Sequence, residues 1–235
     1  MTQAEAIIFD FDGVIGRTLE DSCAAWAQAC AEHGVSFDRE EFLLAEGRKS
    51  TEYISAVLHR HGMPTALAES LAARKNEIYR EIHSFAFYEG VELFIQELHT
   101  RGLKTAVVSG GSRARLLKEP SGSLLRQLDC MVTGDDVARG KPDPEIFRKA
   151  SEALGIRPER CLVIENAPLG IKAAKAAGMQ CLAVCSTLPA FRLVEADDIF
   201  QTLTDLAVHL CDSLADRTAP AGSETLKNTY TTEQL

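Results

Sequence analysis

The 235-residue chain predicts an α/β protein built on a doubly wound parallel sheet, with an α-helical block inserted after the first strand. Three observations predict this class. Short apolar runs at 6–10, 103–108, 130–133, 161–164 and 180–184 have the length and composition of buried strands. From about residue 90 they alternate with segments of helical periodicity, as a parallel sheet wrapped by helices requires. Between residues 17 and 88, by contrast, the pattern is helical and contains no convincing strand.

Each element has its own signal. The first strand, Ala6-Ile7-Ile8-Phe9, runs into Asp10-Phe11-Asp12-Gly13, two carboxylates separated by one apolar residue. At the carboxyl end of a parallel strand, Asp10 and Asp12 can sit together around a metal ion or a reacting phosphorus. Gly13 then lets the backbone turn beside them. The same pattern also occurs in plain turns and calcium loops, so the motif alone leaves both readings open. Cys23, Trp26, Ala27 and Cys30 share a helix over 20–33 that stops at Gly34. Further helices are expected over 39–46, 50–61 and 65–83, the second with Ile54, Val57 and Leu58 on one face and a stop at Gly62-Met63-Pro64. Val91, Phe94, Ile95 and Leu98 make a helix face closed by Gly102, and Asp143-Pro144 predicts a helix start with Asp as cap and Pro in the first position. Leu169–Ala177 reads as a helix ending at Gly178. From Asp216 onward the chain is rich in Thr, Ser, Ala, Glu and Gln and reads as a flexible tail.

Composition narrows the function classes. The net charge is −9 and no Lys/Arg-rich segment stands out, which argues against a nucleic-acid partner. No apolar stretch approaches the roughly 20 residues that cross a bilayer, and the N-terminus lacks the pattern of a secretory signal. A cytoplasmic protein with no membrane partner, a monomer or weak homodimer, is expected. Seven cysteines, an odd number lying mostly in apolar segments, read as reduced core residues, and Cys181 and Cys185 lack the second ligand pair of a zinc site.

Three further segments place polar groups at strand ends. Val108-Ser109-Gly110-Gly111-Ser112 offers a hydroxyl and accessible backbone N–H groups that can accept an anion, though a capped strand-to-helix turn has the same composition. Gly140-Lys141-Pro142-Asp143-Pro144 holds Lys141 between prolines, where a solvated lysine is the plain alternative. Ile164-Glu165-Asn166-Ala167-Pro168 ends a strand on a carboxylate and a carboxamide, both hard oxygen donors suited to magnesium.

Together and in this order, Asp-x-Asp-Gly, the strand-end Ser, Gly-Lys-Pro-Asp-Pro and Ile-Glu-Asn-Ala-Pro-x-Gly-Ile before Ala-Ala-Gly-Met resemble the haloacid dehalogenase-like hydrolase superfamily. The resemblance covers residues 6–16 and about 90–210. It implies a catalytic core over 1–16 and 89–215, a helical cap over 17–88 like that of phosphoglycolate phosphatase-like enzymes and β-phosphoglucomutase, and a tail over 216–235. It further implies magnesium-dependent hydrolysis of a small phosphate monoester, with Asp10 as nucleophile forming an aspartyl-phosphate and Asp12 as general acid/base. Ser109, Gly110 and Lys141 would hold the phosphate. The metal would be held by Asp10, the backbone carbonyl of Asp12, and Glu165 with Asn166. Two departures matter. Asn166 stands where the superfamily commonly has Asp, which replaces a charge by a dipole. The mutase's cap histidine, four residues after a Thr, is here Ser22 after Thr18, and its loop arginine has no match in Gly47-Arg48-Lys49-Ser50, which lowers the mutase reading. A non-catalytic phosphate-binding regulator is the alternative from another class. Arg48 and Lys49 are candidates for an anionic leaving group or plain solvated charges, and Arg17 is a candidate hinge or substrate residue.

Overall fold

Ala6–Asp10 forms the first strand, β1, with all five residues buried, because both faces of a parallel sheet are covered by helices. In this computed structural model, residues 4–118 and 121–215 are described; the tail expected from Asp216 lies outside them. Beside β1 run β2 (Lys104–Ser109), β3 (Cys130–Thr133), β4 (Cys161–Glu165), β5 (Gln180–Val184) and β6 (Asp198–Phe200), all parallel, in the order β3-β2-β1-β4-β5-β6. The order reverses between β1 and β4, and ligands of open α/β sheets bind in the crevice that opens at such a reversal. Asp10 ends β1, Ser109 ends β2 and Glu165 ends β4, so three expected site residues share that edge of the sheet.

Residues between β1 and β2 form α1 (Leu19–Glu32), α2 (Arg39–Leu44), α3 (Ser50–Arg60) and α4 (Ala68–Ile82), with α5 (Val91–Thr100) leading into β2. The remaining helices are α6 (Arg113–Lys118), α7 (Gly122–Leu125), α8 (Glu145–Leu154), α9 (Pro168–Ala176) and α10 (Leu203–Ala215). Alternation along the strands divides the apolar side chains into two cores. Ile7 and Phe9 pack with Phe94, Leu98, Leu206 and Leu210 on one face. Ala6 and Ile8 pack with Phe147, Ala150 and Ile171 on the other. That second core continues into the helical block, where Trp26, Tyr53, Leu71 and Tyr79 interlock and the Trp26 and Tyr53 rings meet edge to face at 5.4 Å. The chain segments that lead into and out of the helical block pair with each other: the Arg17 N–H donates to Ala86 O at 2.8 Å and the Tyr88 N–H to Ile15 O at 3.0 Å.

Several boundaries differ from expectation. The helix expected over 39–46 closes at Leu44, and Ala45, Glu46 and Gly47 form a turn instead, with Gly47 at φ 90°. The segment 65–83 opens with a single 3₁₀ turn, Thr65–Leu67. The helix expected at Asp143-Pro144 begins at Glu145: the Asp143 carboxylate accepts from the Glu145 N–H at 3.0 Å, with Pro144 as the cap residue. Strand β6 and helices α6, α7 and α10 are additions. The strand is only three residues long and half-buried, too short to carry a periodic signal. All seven cysteines are free.

Candidate active site

Asp10 lies at the bottom of the crevice with 1% of its surface exposed. The Lys141 ammonium donates to Asp10 Oδ1 and to Glu165 Oε1, each at 2.5 Å, and is itself 1% exposed. Lys141 is therefore no solvated loop lysine; it is the buried cation between two strand-end carboxylates. Burial raises the Asp10 carboxyl to about 8 against the pull of Lys141, with Glu165 and Asp12 adding to the rise. Burial alone would lower the Lys141 ammonium, but Asp10, Glu165 and Glu46 more than reverse that. Glu165 is anchored at its other oxygen, which accepts from the Asn166 and Ala167 N–H groups at 2.8 and 3.1 Å.

Asp12 has a separate set of partners. Its Oδ1 accepts from Thr18 Oγ1 at 2.5 Å and Arg115 Nη1 at 3.0 Å; its Oδ2 accepts from Ser109 Oγ at 3.0 Å and Arg115 Nη2 at 2.6 Å. Burial pushes this carboxyl up, yet the Arg115 guanidinium and the two hydroxyls outweigh it and hold it at about 2. Ser109 Oγ accepts in turn from the Gly111 N–H at 3.0 Å. Neither Thr18 nor Arg115 was marked as a site residue by its sequence. Arg113 and Arg115 look alike in Ser112-Arg113-Ala114-Arg115; only the fold spends Arg113 on Asp136 and Met131 O while turning Arg115 to Asp12.

Gly13 carries φ 93°, and a Cβ there would lie 2.2 Å from Asn166 Nδ2, so the loop after β1 sits directly on the Asn166 amide. Asn166 Nδ2 donates to Thr187 Oγ1 at 3.0 Å, which sets the amide so that Oδ1 remains an acceptor. Among the described residues, the buried side-chain polar atoms without a hydrogen-bond partner are Asp10 Oδ2, Glu46 Oε2, Asn166 Oδ1 and His209 Nε2. Three of these four are oxygens of the crevice or the loop above it. Oxygen donors of this kind fit a hard divalent cation such as magnesium.

The helical block roofs the crevice. Gly47 packs against the Lys141 side chain, where a Cβ would come within 2.6 Å of Cδ, and its carbonyl accepts from the Lys141 N–H at 3.2 Å. A Cβ on Gly110 would lie 3.2 Å from Gly47 O, so two glycine segments from opposite sides meet here. Between block and sheet lies a cavity of about 680 Å³ reached by Asp12, Glu46, Arg48, Lys75, Arg115 and Trp26. Lys75 is buried, with its ammonium 4.8 Å from the Tyr79 ring centroid, and burial lowers it to about 8. Arg48 is exposed at the cavity wall, whereas Lys49 is spent on Val137 O at 3.1 Å. Arg17 is exposed and lies over the Tyr88 ring at 5.8 Å.

A doubly wound sheet with acidic groups and a lysine at its switch point, roofed by an inserted helical block, defines a class of α/β hydrolytic enzymes. The profile described as haloacid dehalogenase-like hydrolase matches residues 7–184, and the chain belongs to this family, in its phosphatase branch. It is 32% identical to the validoxylamine A 7'-phosphate phosphatase of Streptomyces hygroscopicus subsp. limoneus over 85% of this chain and 94% of the relative. It is 30% identical to the β-phosphoglucomutase of Bacillus subtilis over 88% and 93% of the two chains. The crystal structure of CbbY from Rhodobacter sphaeroides in complex with phosphate superposes with a TM-score of 0.69 at 27% identity, covering 86% of this chain and 96% of the other. Among the described residues no helix is long and apolar enough to cross a membrane.

Proposed function

We propose that this enzyme hydrolyses a small phosphate monoester by a magnesium-dependent route through an aspartyl-phosphate on Asp10. The observation that carries the reading is Asp10 itself: Lys141 fixes one carboxylate oxygen and the other has no hydrogen-bond partner, which suits it to in-line attack on phosphorus. Magnesium would be held by the Asp10 carboxylate, the Asp12 carbonyl, Asn166 Oδ1 and, directly or through water, Glu165. When bound it would offset the negative charges of nucleophile and phosphate that otherwise repel.

In the first half-reaction an Asp10 oxygen bonds to phosphorus as the bond to the ester oxygen breaks, and Asp12 delivers a proton to the departing alkoxide. In the second, Asp12 takes a proton from water as that water attacks the aspartyl-phosphate. Ser109, the Gly110 N–H and Lys141 would hold the equatorial oxygens, where charge spreads in the transition state. Asp12 rests ionised against Arg115, which suits the second step. For the first, the phosphoryl anion must compete for that guanidinium so that Asp12 can hold a proton. Residues 17–88 act as a cap over the core of 1–16 and 89–215, and the cavity between them encloses the leaving group. The reach of one cavity favours a metabolite-sized ester over a polymer.

The mutase reading keeps support from the β-phosphoglucomutase relative, while Ser22 at the cap position lacks the imidazole that a phosphosugar mutase uses. The test is turnover of p-nitrophenyl phosphate and a panel of metabolite phosphates with magnesium, then with EDTA, and a separate assay for interconversion of β-glucose 1-phosphate and 6-phosphate. Magnesium-dependent release of phosphate, abolished in Asp10→Asn, is expected. Phosphoryl transfer between sugar hydroxyls without net hydrolysis would favour the mutase, and a folded, phosphate-binding protein with no turnover would favour a regulator.

A further inference from the structure

We propose that Glu46, carried by the helical block, is a further ligand of the divalent cation at this site. The inference rests on the magnesium-dependent reading above, which supplies the cation. Asp10, Glu46 and Glu165 each offer a carboxylate oxygen, and these three atoms lie within 4.8 Å of one another. Glu46 is only 8% exposed, and its Oε2 has no hydrogen-bond partner, like Oδ2 of Asp10. An ionised carboxylate buried without a partner is costly, and such groups are normally paired or bound to metal.

Charge points the same way. Three buried carboxylates face the Lys141 ammonium, whose hydrogen bonds among the described residues go to Asp10 and Glu165. With all three ionised, two negative charges are left over, and a divalent cation balances them where solvent cannot; without it, burial favours the protonated acids. Asn166 brings a dipole where a carboxylate would bring a charge, so Glu46 supplies from the roof what the floor of the site lacks. Its backbone is also held in place. On the C-terminal side Gly47 O accepts from the Lys141 N–H, and Lys49 Nζ reaches Val137 O. These contacts pin the turn to the β3–α8 connection, which itself carries Lys141. Cation affinity then depends on the seating of the helical block, since one ligand arrives with it.

The test measures cation affinity directly, by calorimetric titration with magnesium and by electron paramagnetic resonance with manganese, on the full chain without substrate. Glu46→Gln is expected to weaken binding by about tenfold or more, as loss of a ligand or its close support does. The double variant Glu46→Gln, Asn166→Asp should recover most of that loss, because the charge returns to the same cluster. Metal-free Glu46→Gln should melt no lower than the parent, since it replaces a buried carboxyl whose Oε2 has no hydrogen-bond partner, and should gain less Tm on adding cation. Glu46→Asp, which keeps the charge but shortens its reach, should also weaken binding. Unchanged cation affinity in both Glu46 variants overturns the proposal, as does a Glu46→Gln effect confined to ester KM. Glu46-dependent cation binding without any ester turnover would sink the phosphatase reading and leave the ligand assignment standing. Turnover with Glu46-independent cation affinity would do the reverse, and a parent chain that binds no divalent cation overturns both.

Discussion

Arg115 closes on both carboxylate oxygens of Asp12, its Nη1 3.0 Å from Oδ1 and its Nη2 2.6 Å from Oδ2. This fork-to-fork pairing ties the start of α6 to the loop after β1 and holds Asp12, the proposed general acid/base, ionised. Arg115 is thus a positioning residue for Asp12.

Replacing Arg115 by Met removes the pull that holds Asp12 at about 2, so its pKa should climb above the ordinary 3.8, driven by burial. The acid limb of the kcat/KM profile then moves to higher pH, and kcat at neutral pH drops by about tenfold or more. The sign for stability follows from a folded-state pKa below the unfolded one: the stabilisation is present above pH 4 and is lost as pH falls toward 2. It amounts to about 2 kcal/mol. Urea unfolding of the parent and Arg115→Met at pH 7 and pH 3 checks this, with the gap between them narrowing at the lower pH. A gap that widens on acidification would contradict it.

Lys141→Met leaves Asp10 and Glu165 facing each other without their shared cation. Breaking a buried pair by removing one partner costs about 3–5 kcal/mol. The unfolding midpoint in urea should fall accordingly, and ester turnover should drop to background. A Lys141→Met protein as stable as the parent would mean that the two carboxylates are protonated or rearranged rather than paired.

At Gly170, in the first turn of α9, helix propensity and site geometry pull in opposite directions. Alanine there should gain about 1 kcal/mol from propensity alone. Its Cβ, however, would lie 1.8 Å from Glu165 Oε1, the atom that accepts from Lys141. Overpacking of this kind costs about 1–3 kcal/mol, so Gly170→Ala should be less stable and less active, as read by Tm and kcat. A rise in Tm would show that Glu165 is free to move aside.

Gly47→Ala strains a φ of 90° and drives a Cβ to 2.6 Å from Lys141 Cδ. The block should then seat less well on the core, and KM for a phosphate ester should rise several-fold, more than kcat falls. Steady-state kinetics separates the two. An effect on kcat alone would place Gly47 in the chemistry and not in closure.

Local pattern was enough to read five of the six strands, the helical insertion after the first and much of the site. Apolar runs that stop at Asp10, Ser109 and Glu165 mark strand ends, because a strand buried on both faces cannot carry a charge until it emerges. Lys141 and Asn166 were legible from the company of those motifs along the chain. Glu46, Arg115 and Thr18 were not. Glu46 reads as the last polar residue of an amphipathic helix, and only the early stop of α2 at Leu44 turns it toward Asp10 and Glu165. Arg115 is one of two arginines in a short helix, and the packing of α6 against the β1 loop chooses between them.

The amino-acid sequence by itself determined five of the six strands, where they end, and that acids, a lysine and a glycine-flanked serine stand at or beside those ends. Those properties follow from burial and backbone geometry over a few residues. Which charges meet was decided only by the tertiary structure: Lys141 between Asp10 and Glu165, Arg115 on Asp12, Glu46 lowered from the helical block into the same cluster. The physical reason is range. Lys141 and Asp10, 131 positions apart in the chain, sit 2.5 Å from each other, and in a buried site that proximity sets protonation and the capacity to hold a cation.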